Sequence, residues 1–216
     1  MKKAIITFVI IALIISCTTI SLAATPNEDL LSALRAVPYL EDAVLWENDT
    51  DAVDDHGLQP HSLHVVVDGG ATTPVAQAIF TKLPVGITTE GTTSTTVTDE
   101  SGNTHTINFS RSSDVRLMIT IYIRTLPGYD ASTTPDAIKN AVKTTVDKLT
   151  IGQSFYIPFL YAPILALDDL EHPTFIISSI VASSTSTSSS FEIPIGPTER
   201  AKIPLVNISV EATPLY

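Results

Sequence analysis

The chain has 216 residues, 44% of them apolar, so it can bury one large core or two small ones. Its formal net charge of -11, with carboxylates gathered in residues 47–55 and 168–171, would repel a phosphate backbone and excludes a nucleic-acid partner. A charged fraction of only 16% suits a subunit packed against neighbours, and the single cysteine, Cys17, cannot form an internal disulfide.

Lys2 and Lys3 precede an uncharged run from Ala4 to Ala24 whose centre, Ile5 to Ile15, is strongly apolar. That is the layout of a secretory signal over residues 1–24. Small residues at Ser21-Leu22-Ala23 suit cleavage before Ala24 or Thr25, whereas Ile14-Ile15-Ser16-Cys17 resembles a bacterial lipobox with Cys17 acylated. An uncleaved anchor is the third reading, weakened by Ser16, Thr18, Thr19 and Ser21. Contact with a membrane is expected only through this segment.

Downstream, Asn27 to Arg35 predicts a short helix with Glu28 and Asp29 at its favourable end and Leu30, Leu31 and Leu34 on one face. Ala43 to Glu47 predicts a strand carrying Trp46, followed by an acidic loop, Asn48 to Gly57. Asp49, Asp51, Asp54 and Asp55 offer oxygen ligands, but the glycine and closing glutamate of a calcium loop are replaced by Asp54 and Pro60. His56, His61 and His64 have no cysteine nearby to complete a zinc site, and His64 falls on the face of a strand opposite Leu63 and Val65. No metal or other cofactor is expected.

The stretch from Leu63 to Arg111 carries the densest local signals. It reads as a strand (Leu63 to Val67), a turn at Asp68-Gly69-Gly70, a helix capped by Thr73 with Pro74 first, and two strands in Thr93 to Phe109 about Ser101-Gly102-Asn103. Val115 to Thr125 predicts a strand at least partly covered on both faces, and Thr134-Pro135 starts the longest helix, Pro135 to Leu149, with Ile138, Val142, Val146 and Leu149 at helical spacing. Thr-Thr-Pro occurs at 72–74 and again at 133–135, which suggests two units built alike.

Pro158 to Leu167 reads as helical and bent at Pro163, Phe175 to Ala182 as a strand, and Ser183 to Ser190 as a mobile hairpin loop or linker. Two last strands follow, Phe191 to Ile195 and Ile203 to Val210. Their residues Phe191, Ile193, Ile195, Ile203, Leu205, Ile208 and Val210 are candidate assembly positions, because exposed strand edges can add a strand from another subunit. The fold class is α+β: two consecutive small units, residues 25–112 and 113–216, of mixed or antiparallel sheets with helices packed on one face.

Signs of chemistry are missing from the sequence. There is no Gly-x-Ser-x-Gly elbow, the histidines have no evident nucleophile beside them, and Gly69-Gly70 lacks the rest of a phosphate loop. The expectation is a protein that is not an enzyme.

Taken in order, residues 47–51 (Glu-Asn-Asp-Thr-Asp), 57–62, Val65-Val66-Val67-Asp68-Gly69-Gly70, 76–80, Lys82-Leu83-Pro84-Val85-Gly86-Ile87, 97–103 and Ile107-Asn108-Phe109-Ser110-Arg111 resemble the baseplate J-like family of contractile-tailed phages and related injection systems. The likeness runs from about Leu30 to the C-terminus and is specific between Asn48 and Arg111. It implies a structural baseplate wedge subunit that joins hub to periphery, has no catalytic residues, and takes as partners other baseplate or tail proteins or copies of itself. It also implies a place in the virion baseplate, whereas the N-terminal segment points to export to the periplasm, envelope or outside. The alternative is therefore an exported, lipid-anchored envelope protein that reuses the fold for binding or polymerisation.

Overall fold

In a computed structural model, residues 26–55 and 57–215 are described. The signal-like segment, with Cys17, and His56 lie outside them.

Helix α1 (Pro26–Arg35) forms because Glu28 and Asp29 occupy its first turn and Arg35 its last, while Leu30 and Leu34, one turn apart, are both buried. The chain turns at Pro38 and Tyr39, whose φ of 61° is left-handed. Then come β1 (Leu40–Asn48), β2 (Ser62–Gly69), α2 (Thr72–Lys82), β3 (Thr88–Glu90), β4 (Thr93–Thr98) and β5 (Thr104–Arg111). They make a five-stranded mixed sheet in the order β1-β2-β5-β4, with β3 running parallel to the start of β2.

Strand β2 is its centre. Leu63, Val65 and Val67 point to α1 and α2 and join a core with Leu30, Leu34, Val75, Ile79, Ile107 and Phe109. The alternate residues Ser62, His64, Val66 and Asp68 take the opposite face, which the register shares with Asn48, Trp46, Val44 and Asp42 of β1. Ser62, Val66 and Asp68 are buried there too.

The second half comprises β6 (Ser113–Arg116), β7 (Met118–Thr125), α3 (Thr134–Val146), β8 (Phe155–Tyr156), a 3-10 turn at Ile157–Leu160, α4 (Tyr161–Leu165), β9 (Phe175–Ser183), β10 (Ser188–Ser189), β11 (Glu192–Ile193), β12 (Glu199–Lys202), a 3-10 turn at Leu205–Asn207, and β13 (Ile208–Pro214). Its main sheet has the order β10-β9-β7-β13, antiparallel between β7 and β9 and parallel between β7 and β13. Leu117, Ile119, Ile121 and Ile123 pack with Ile138, Val142 and Val146 of α3 into a second core that shares no residue with the first. The architecture is α+β, with the helices on one face of each sheet.

Several expectations change. Thr73 does not cap α2: the helix starts at Thr72, Ala71 is the cap residue, and Pro74 is the third helical residue, not the first. The two Thr-Thr-Pro sequences therefore start their helices one residue apart, since α3 begins at the second threonine. Asp130 organises that second start by accepting hydrogen bonds from Ser132 N and Oγ and from Thr133 Oγ1 (2.8, 2.6 and 2.8 Å). These bonds hold its carboxyl down to about 2.

Strand β7 is fully covered on one face and partly on the other, where Thr120 is half-buried and Met118 and Tyr122 are 53% and 43% exposed. Of the two readings of Ser183 to Ser190 the hairpin loop holds: Ser184 N donates to Thr187 O at 2.7 Å and β10 pairs with the end of β9. The strand expected at Phe191 to Ile195 shrinks to Glu192–Ile193, next to Pro194. Of the strand expected from Ile203 to Val210 only Ile208 to Val210 is strand, as the start of β13: β12 ends at Lys202, and Pro204, which has no amide hydrogen for a ladder, leads into the 3-10 turn at Leu205–Asn207.

Gly91, at φ 152°, lies so close to the Phe109 backbone that a Cβ would collide with it, whereas Gly102, at φ 88°, faces open space. Gly102→Ala is expected to cost about 1 kcal/mol, for backbone conformation alone. Gly91→Ala should cost more than about 2 kcal/mol, because strain adds to the clash; urea unfolding of both variants by circular dichroism measures the difference.

Candidate functional site

The face of the first sheet opposite α1 and α2 is where the halves meet. Asp68, at the end of β2, is buried, and β1 sets Glu41 and Asp42 beside it. From the other half β12 brings Arg200 and Lys202, two apart and so on one face of the strand. Arg200 Nη1 donates to Asp68 Oδ2 at 2.6 Å and to Glu41 Oε2 at 3.1 Å. Its remaining donors reach Leu149 O and Asp147 O just beyond the C-terminus of α3, where carbonyls favour a cation. Lys202 Nζ lies 2.9 Å from Asp68, 3.5 Å from Glu41 and 3.4 Å from Asp114 of β6. Asp42 Oδ2 accepts the Ile151 amide at 2.7 Å across the same seam.

Burial alone would raise the Asp68 carboxyl, but hydrogen bonds from Lys202 and Arg200 outweigh it and leave it below its ordinary 3.8. Burial likewise opposes the charge of Lys202, yet the hydrogen bond and charge of Asp68, with Asp114 and Glu41, raise it above 10.5. A groove of about 780 Å³ opens beside the cluster, lined among others by Arg116, Lys143 and Asp147. Further along the seam, Trp46, Leu58 and His64 line a crevice of about 150 Å³ with Pro197 and Thr198.

His64 does have a hydroxyl partner, which the sequence reading missed: its Nε2 is 2.8 Å from Ser110 Oγ. The two are 46 residues apart and meet because β2 and β5 run side by side. Burial, working against the charge of Glu90, lowers the His64 pKa, so the neutral ring can accept the serine proton. Ser110 is buried, and its oxygen also accepts the Thr92 amide at 3.2 Å. The pair ties the strand to the loop before β4 and presents no hydroxyl to solvent.

The acidic segments are chiefly structural. Asn48 closes the 48–58 loop with bonds to Ala52 O and Leu58 O, while Asp51 pairs with His61 at 2.9 Å. Asp168 accepts bonds from Thr174 N, Thr174 Oγ1 and Phe175 N and so sets the start of β9. Asp99 takes His105 and the Asn103 and Ser101 amides about the β4–β5 turn, which keep its carboxyl well below the usual range. Among the described residues no group of three metal-ligating side chains comes together, and no helix is long and apolar enough to cross a membrane.

The candidate assembly residues divide. Ile193, Ile195, Ile203 and Ile208 are buried in the second core and Val210 packs against it, whereas Phe191 and Leu205 are exposed. Among the described residues the outer edge of β13, last in its sheet, has no strand paired to it, and on the sheet face away from α3 Met118, Tyr122, Ile176 and Val181 are exposed. No family model matches the chain, and no curated protein matches it.

Arg200→Ala leaves Asp68 buried without its guanidinium and is expected to lower the unfolding free energy by about 3 kcal/mol. Because the folded-state pKa of Asp68 is depressed, its contribution is complete above the ordinary 3.8 and is lost as pH falls through the lower folded value. Urea midpoints taken from neutral to acid pH should fall in that window, and less steeply in Asp68→Asn.

Proposed function

We propose that the chain is a structural subunit that works by assembly, resembling a baseplate wedge protein of a contractile phage tail or related injection system. The observation that carries this reading is the open edge of β13 beside a sheet face bearing Met118, Tyr122, Ile176 and Val181. An unpaired strand edge offers backbone donors and acceptors to another subunit, and adjacent apolar side chains supply burial once it is engaged. The resemblance of residues 48–111 supports the reading further, since those residues form turns and most of the first core. Partners are other tail components or further copies of the chain, and catalysis has no part in the role.

A second reading follows from Lys2, Lys3 and the apolar run after them: export and attachment to the envelope, with the same surface used for binding or polymerisation there. In that case Cys17 carries lipid or the mature chain begins at Ala24 or Thr25.

Co-expression with its genomic neighbours should place the chain in a tail-like particle on a density gradient. Tyr122→Asp together with Val181→Asp should abolish incorporation while leaving circular dichroism unchanged; normal incorporation of that variant would remove the assigned surface. Intact mass after cell fractionation decides between the compartments. A full-length cytoplasmic chain supports the baseplate reading, and a processed or lipidated chain in the envelope supports the second.

A further inference from the structure

We infer that the charged seam is an electrostatic latch: Arg200 and Lys202 on one half and Asp68 and Glu41 on the other fix the angle between two halves that can swing apart without unfolding.

Four features support this. The two apolar cores are closed separately, one from residues between Leu30 and Phe109 and the other from residues between Leu117 and Ile208, so releasing the seam opens neither. The covalent connection is short, because Ser112 alone separates β5 of the first sheet from β6 of the second half. Rotation about one or two residues is enough for a hinge of this kind.

The bonds across the seam are mainly polar. Arg200 and Lys202 reach Asp68 and Glu41, the Ile151 amide reaches Asp42, and Ser112 N donates to Val67 O beside the connection itself. Directional bonds of this type hold one arrangement and are lost together when it rotates.

The latch is also reachable. The groove of about 780 Å³ runs along it, and Glu41 and Lys202 keep 60% and 32% of their side chains exposed. Dissolved ions can therefore compete for these charges, while Asp68 and Arg200, at 11% exposure each, hold the deeper pair. Asp114, on the same half as Lys202, competes with Asp68 for the ammonium and gives it a partner when the halves separate.

The test is a distance between the halves in the full chain. With Cys17→Ser, spin labels at Ser101→Cys in the β4–β5 turn and Ser186→Cys in the β9–β10 turn place one probe on an exposed position of each half. Pulsed electron resonance should give a single narrow distance at neutral pH and low salt. Asp68→Asn should lose that narrow distance for a broad distribution, and roughly 1 M salt should broaden it in the otherwise unsubstituted chain. Far-ultraviolet circular dichroism should stay constant throughout. Lys143→Ala, which removes only the exposed ion pair with Asp147, should leave the distance as it was.

An unchanged narrow distance in both Asp68→Asn and high salt overturns the latch. So does broadening that occurs only together with loss of secondary structure. Should Asp68→Asn fail to fold, the salt series decides by the same criterion.

Discussion

A guanidinium and a carboxylate from opposite halves of the chain, Arg200 and Asp68, meet at 2.6 Å in a place largely closed to water. Burying either alone would cost several kcal/mol, about what their attraction returns, so the pair adds little net stability but penalises other arrangements heavily. It therefore selects one docking of the halves. Everything at the seam follows from that selection: Lys202 shared among three carboxylates, the Ile151 amide on Asp42, and the walls of the two grooves.

Strand β2 is the element that makes such a pair workable. Its Leu63, Val65 and Val67 belong to the helix-covered core, while Ser62, His64, Val66 and Asp68 are set against the other half or its margin. One strand thus serves a dry face and a mixed face, and its hydrophobic-polar alternation is interrupted only at Val66, which is buried on the mixed face. The Ser110–His64 pair belongs to the same compromise. A half-buried imidazole and a buried hydroxyl satisfy each other there.

Among the described residues the second sheet has no comparable cover. With α3 on one face, its other face keeps Met118, Tyr122, Ile176 and Val181 in solvent beside the unpaired edge of β13. The buried isoleucines at 193, 195, 203 and 208 hold that sheet and its neighbours in place, so an assembly surface would be built from the opposite face and from backbone.

By itself the sequence determined the α+β class, most helices and strands, the turn at Ser101-Gly102-Asn103 and the apolar stripe of α3, because all of these depend on spacing within a few residues. It misplaced the cap of α2 and the strand through Pro204, where ladder and cap geometry act at the scale of one residue. Only the tertiary structure decided that Asp68 meets Arg200, 132 residues away, that His64 meets Ser110, and which isoleucines face inward. Those outcomes depend on how one sheet docks on another element. Periodicity specifies which face of a strand is apolar; it carries no information about what comes to lie against the polar one.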